Sequence, residues 1–175
     1  NRGSVAIADA MRRPSFPSLT ALDLSENKIE NEGATALADA MKMCPVLSKV
    51  DFQDNEIGSP GFVALAHAIE NSSSLTCLDL ASNAPDDQGF VAIAAAVKTS
   101  LSLTSLDISS NVVETAGMTA LAAAVNASGS LTSLSLDNCS IGNQGALLLA
   151  EALKHSKSLA TLSLFRCDIG VAGAS

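Results

Sequence analysis

The stretch Leu19-Thr-Ala-Leu22-Asp-Leu24-Ser-Glu-Asn27-Lys-Ile29, continued by Gly33-Ala-Thr-Ala-Leu37-Ala-Asp-Ala40-Met41, decides the fold. Its first half alternates. Leu22 and Leu24 point one way and Ala21, Asp23 and Ser25 the other, the period-two signature of a short strand. Its second half places Gly33, Leu37, Ala40 and Met41 at i, i+4, i+7 and i+8, which is one face of a helix. The unit then returns without slippage, because its first leucine recurs every 28 positions as Leu47, Leu75, Leu103, Leu131 and Leu159. A fixed period of this size marks a stack of supersecondary units, each burying its apolar side against its neighbours.

Outward from that unit, Gly3-Ser-Val-Ala-Ile-Ala-Asp-Ala-Met11-Arg12 aligns with Gly33 to Lys42, and the loop from Pro14 to Ser18 absorbs two extra residues. At the other end the sixth copy stops at Gly173, where its helix is expected to begin. The sequence therefore reads as a single array over 1–175: a partial repeat at 1–18, then repeats starting at 19, 47, 75, 103, 131 and 159, the last truncated. Further sequence is expected on both sides, since neither end reads as a polar capping repeat. Two residues before the repeating glycine stand Asn31, Ser59, Asp87, Thr115 and Asn143, all of N-cap type. Pro60 follows Ser59 where a missing N–H costs nothing. Arg12, Arg13, Lys42, Lys98 and Lys154 are expected in last turns, where they complement the helix dipole.

Composition fits such a stack. Of 175 residues 47% are hydrophobic but only 3% aromatic, so the core is aliphatic, with Phe52 the one ring in the inward strand columns. Alanines at 36, 38, 64, 66, 92, 94, 120 and 122 would let neighbouring helices approach. No apolar run is long enough to span a bilayer. The net charge of −8 has the wrong sign for binding phosphates, which argues against nucleic acid as a partner. Cys44, Cys77, Cys139 and Cys167 form no Cys-x-x-Cys pair and suit a reducing compartment, so a cytoplasmic location is expected. Sequons at Asn71, Asn126 and Asn138 are about as many as chance supplies in a chain this rich in Asn, Ser and Thr.

The pattern Leu19-x-x-Leu22-x-Leu24-x-x-Asn27-x-Ile29 resembles the leucine-rich repeat, in its 28-residue subclass as in ribonuclease inhibitor, RanGAP, tropomodulin and NOD-like receptor arrays. The resemblance implies an α/β, right-handed solenoid bent into a horseshoe arc, with parallel strands on the concave face and helices on the convex face. Its asparagine position reads Asn27, Asn55, Asn83, Asn111, Cys139 and Cys167. An inward amide there would bond loop backbone of neighbouring repeats, and a buried thiol is a small substitute.

Function is expected on the outward strand positions. One column reads Ala21, Lys49, Cys77, Ser105, Ser133, Thr161; the next Asp23, Asp51, Asp79, Asp107, Ser135, Ser163; the third Ser25, Gln53, Ala81, Ser109, Asp137, Phe165. Carboxylates on strands ~4.8 Å apart repel by roughly 1 kcal/mol in water, a cost that a basic partner would relieve. The same row also reads as an ordinary solvated face. Asp54 extends the acid to the strand exits, and Phe165 with Arg166 has the composition of an interface anchor. Pro85, Asp86 and Asp87 read as a stiff acidic loop on the strand-to-helix rim.

Enzyme motifs are lacking: there is no P-loop, no Gly-x-Ser-x-Gly and no His-x-x-x-His, and His67 and His155 fall on outward helix positions in different repeats. The expectation is a non-catalytic module with no cofactor and no metal, binding a protein with a basic patch through Asp23, Lys49, Asp51, Gln53, Asp54, Asp79, Asp107, Asp137, Phe165 and Arg166. Two alternatives stay open: a GTPase-activating protein of the RanGAP type, and the sensor array of a larger receptor-like protein.

Overall fold

A computed structural model describes residues 1–13 and 18–170. The loop at Pro14–Pro17 and the stop at Gly173 lie outside these residues. Helix and strand alternate throughout: α1 (Arg2–Met11), β1 (Ala21–Asp23), α2 (Asn31–Met41), β2 (Lys49–Asp51), α3 (Ser59–Asn71), β3 (Cys77–Asp79), α4 (Asp87–Thr99), β4 (Ser105–Asp107), α5 (Thr115–Ala127), β5 (Ser133–Ser135), α6 (Gly142–Leu153) and β6 (Thr161–Ser163). The six strands form one open parallel sheet in chain order. Its register carries the 28-residue period into space, pairing Leu22 with Val50, Val50 with Leu78, Leu78 with Leu106, Leu106 with Leu134 and Leu134 with Leu162. The chain is an α/β solenoid, sheet on one layer and helices on the other.

The core lies between the layers, where Leu37, Leu65, Ile93, Leu121 and Leu149 from the helices meet Leu47, Leu75, Leu103 and Leu131 from the strand entries, all buried. Three rings are fully enclosed. Phe52 fills its strand column, while Phe62 and Phe90 pack edge to face across α3 and α4 with centroids 5.7 Å apart. These two sit directly after the repeating glycine, whose lack of a side chain makes room: a Cβ on Gly117 would lie 2.7 Å from Asp87 Oδ1 and 2.9 Å from Phe90 Cβ. Ala38, Ala66, Ala94 and Ala122 are buried, and Ala36, Ala64, Ala92 and Ala120 flank them partly covered.

The asparagine position is a ladder. Asn111 Nδ2 donates to Leu80 O, Ile108 O and Ser109 O at 3.0, 2.9 and 3.2 Å, and its Oδ1 accepts from Asn83 N–H at 2.9 Å. Asn83 and Asn55, one and two repeats earlier, donate to the corresponding carbonyls, and their Oδ1 atoms accept from Ile57 and Ile29 N–H at 3.0 and 2.9 Å. Cys139 and Cys167 keep only the donating half, to Ile108 O at 3.3 Å and Leu136 O at 3.1 Å. Burial pushes the Cys139 thiol up to about 11 and raises that of Cys167, so both stay protonated donors. A second ladder was not anticipated: Ser48, Thr76, Thr104 and Thr132 each donate a hydroxyl to the carbonyl 28 residues earlier, at 3.0–3.1 Å.

The helix starts differ from the sequence expectation. Asn31, Ser59, Asp87 and Thr115 are the first helical residues and Asn143 the second of α6, and the N-caps are Glu30, Gly58, Asp86, Glu114 and Ile141, of which only Asp86 bonds its own helix, through Gln88 N–H. The expected side chains instead serve the following repeat. Asn31 Oδ1 accepts from Gly58 and Gly61 N–H at 2.9 and 3.1 Å, Ser59 Oγ from Asp86 N–H at 2.9 Å, Asp87 from Ala116 and Gly117 N–H at 3.0 and 2.8 Å, and Asn143 Oδ1 from Gly170 N–H at 2.8 Å. At N1 a side chain points away from its own first turn and toward the neighbouring helix, which supplies orphan donors of its own. Thr115 makes no such bond to α6, and a recess of about 340 Å3 opens there between Met118, Ile141 and Leu148. Among the expected basic residues only Lys98 lies in a last turn; Arg12, Lys42 and Lys154 are C-cap residues that pair with Asp9, Asp39 and Glu151 three positions back. His155 follows α6 rather than lying on it.

Candidate protein-binding face

The parallel register brings Asp23, Asp51, Asp79 and Asp107 side by side on β1 to β4. Each carboxylate closes its own strand exit. Asp51 Oδ1 accepts Gln53 N–H at 2.8 Å, Asp79 Oδ1 accepts Ala81 N–H at 2.9 Å, and Asp107 Oδ1 accepts Ser109 N–H at 2.8 Å; Asp23 takes both the N–H and the hydroxyl of Ser25. This side chain to i+2 bond is an Asx turn, and it leaves the second carboxylate oxygen of Asp51, Asp79 and Asp107 on the open face. The Ser25 bonds hold Asp23 below the usual carboxylate range. Burial pushes Asp79 up to about 6 against the pull of the Ala81 bond, and Asp107 and Asp51 on either side add to the rise.

Lys49 stands exposed beside this row and makes no ion pair among the described residues. A shallow recess of about 260 Å3 lies around it, bounded by Leu22, Asp23, Val50, Cys77 and Asp79. Gln53 and Asp54 are exposed at the exit of β2, with Asp54 in the left-handed region at φ 53°. The third column is not uniformly outward: Ala81 and Ser109 are buried.

On β5 and β6 serine replaces aspartate, and the strand exits are closed from the preceding repeat. Asp137 N–H donates to Ser109 Oγ at 3.2 Å, and Phe165 N–H and Ser163 Oγ both donate to Asp137 Oδ1 at 2.6 Å. Asp137 is half-buried by this arrangement. Phe165 is 61% exposed, and the Arg166 guanidinium carbon lies 5.2 Å from its ring centroid.

The acidic rim loop is engaged by the fold. Pro85 is buried in the place other repeats give to Ile or Val, Asp86 caps α4 and bonds Ser59, and Asp87 bonds the start of α5. Sequence reading found the acceptors at these positions and missed their targets, since spacing to a glycine says nothing about which of two adjacent helices a side chain serves. Among the described residues no three His, Cys, Asp or Glu are grouped to hold a metal ion, and no helix is long and apolar enough to cross a membrane.

A family model described as "Leucine Rich repeat" matches residues 17–38, 44–66, 71–94, 99–122, 128–150 and 155–175. Solved structures of similar fold include these two. One is the tropomodulin C-terminal domain of Caenorhabditis elegans, with a TM-score of 0.71 and 17% identity over 86% of this chain and 92% of that one. The other is the leiomodin-1 actin-binding site 2, with a TM-score of 0.57 and 20% identity over 93% of this chain and 77% of that one. No curated protein sequence matches the chain.

Proposed function

The chain belongs to the leucine-rich repeat family, and from that premise we propose that it is a non-catalytic protein-binding module whose sheet face takes a partner with a basic patch. The observation that carries this reading is the in-register row of Asp51, Asp79 and Asp107, each with one oxygen fixed by its own backbone and the other free. Fixed carboxylates pay little ordering entropy when a Lys or Arg arrives. Bringing a cation between them removes their mutual repulsion as well as adding attraction. The leiomodin-1 domain of similar fold is itself an actin-binding site, which supports a protein as the class of partner and leaves its identity open.

A random twelve-residue peptide library displayed on phage, selected at low salt, tests the reading. Enriched peptides should be basic, weaken as salt is raised, and bind the triple variant Asp51→Asn, Asp79→Asn, Asp107→Asn at least about tenfold less tightly, since Asn keeps the i+2 bond but not the charge. Equal binding to the variant, with circular dichroism showing it folded, would reduce the row to a structural device.

A further inference from the structure

The free groups on the sheet face change kind from one end to the other. Over β3 and β4 the outward groups are Asp79 and Asp107, with Cys77 and Ser105 beside them and no cation. Over β6 stand Phe165, largely exposed, and Arg166, which forms no ion pair among the described residues. Alongside them, at the first outward position of β4, β5 and β6, the hydroxyls of Ser105, Ser133 and Thr161 form an in-register row, and none of the three hydroxyls makes a hydrogen bond among the described residues.

We propose that this face reads a charge-segregated extended peptide segment, with a Lys or Arg over β3–β4 and an apolar side chain next to a carboxylate over Phe165 and Arg166. The inference rests on the sheet-face reading above and adds a second pole to it. Phe165 is fit to be an anchor because its backbone is fixed on both sides: Asp137 holds its N–H, and its carbonyl accepts from Asn138 N–H at 2.7 Å. An aromatic presented from a rigid backbone loses little freedom on binding. Arg166 covers one side of the ring and has five donors for an incoming carboxylate. The hydroxyl row is what makes the occupant extended, since the exposed N–H and C=O groups of an extended chain need partners that a helix has already supplied to itself.

Geometry sets the spacing. From Asp107 or Asp79 to Phe165 is two or three strand separations across and two residues along, about 12–16 Å on the diagonal, which an extended chain covers in about four to five residues. The partner motif is therefore a basic residue four or five positions from an apolar residue with an adjacent Asp or Glu, in either chain direction.

The same displayed library is the probe, read against two further variants. Enriched peptides should carry that motif, lose at least about tenfold in affinity for Phe165→Ala and for Arg166→Gln, and keep more of it for Arg166→Lys. Circular dichroism and the unfolding midpoint confirm that each variant is folded. Peptides that lose binding to the Asp-to-Asn triple variant but bind Phe165→Ala as tightly as the parent overturn the two-pole inference and leave the acidic face standing. Peptides indifferent to both sets, or a library that yields no binder, overturn both.

Discussion

Repeats two to four and repeats five to six close the same turns by different means. In the former each strand exit is held by its own aspartate and an inward asparagine that bonds both ways. In the latter serine stands where aspartate was, the missing acceptor comes from Ser109 or Asp137 of the preceding repeat, and cysteine donates without accepting. The comparison shows that the acidic row is first a device for ending strands. Its availability to a partner is a property of the second oxygen, left over once the turn is closed. It also shows that losing the aspartate does not open the turn; it moves the acceptor one repeat back and frees the local surface to carry hydroxyls and Phe165.

The largest effect should come from breaking the better-bonded half of the asparagine ladder. Asn111→Ala removes one donor from each of three carbonyls, which keep their bonds from Asn83, Cys139 and Ser82, and leaves the Asn83 N–H without its acceptor in a buried site; it is expected to cost about 2 kcal/mol or more, against about 1 kcal/mol for Cys139→Ala. Urea midpoints compare the two, and equal costs would show that the amide adds nothing over the thiol. Next come the bonds between neighbouring helix starts. Asp87→Ala should lose about 1–2 kcal/mol, while Thr115→Asn, which supplies the acceptor absent before α6, should gain about 0.5–1 kcal/mol. No gain from Thr115→Asn would mean that the entry to α6, where Gly142 is left-handed at φ 60°, places its N–H groups out of reach.

The smallest effect concerns Asp79. Its folded-state pKa of about 6 lies above the ordinary 3.8, so between those values the folded chain holds more protons than the unfolded one. Stability from this group is therefore greatest below pH 4 and declines as pH rises to 6. Asp79→Asn should remove that decline and raise the unfolding midpoint at pH 7, with no gain at pH 4. A variant whose pH profile matches the parent would place the decline elsewhere.

Much of this was legible in the sequence because period is a one-dimensional property. The 28-residue spacing fixed which residues share a column, and the alternation around Leu22 and Leu24 fixed the facing of the first two outward columns but not of the third, where Ala81 and Ser109 are buried. Partners across the stack were harder. Asn31, Asp87 and Asn143 have the composition of helix caps whether they serve their own helix or the next, and only the placement of two helices side by side separates the cases. Pro85 stands in the column of Ile29, Ile57, Val113, Ile141 and Ile169 and read as part of a stiff acidic rim loop because proline is common in loops, yet it is buried in the apolar slot those residues take. The exchange of roles between Asp137 and the serines at 135 and 163 had a sequence trace, since the acid moves from the second column to the third where the second loses it.

Where a side chain at one helix start accepts a backbone N–H of the next repeat, the acceptor belongs to the earlier repeat and the donor to the later. A ribosome delivers the chain in the same order. Each helix that emerges after α1 or α2 therefore meets an acceptor that its predecessor has already put in place, so the array carries a built-in direction of growth, with Thr115 as the step at which the new helix must start unaided.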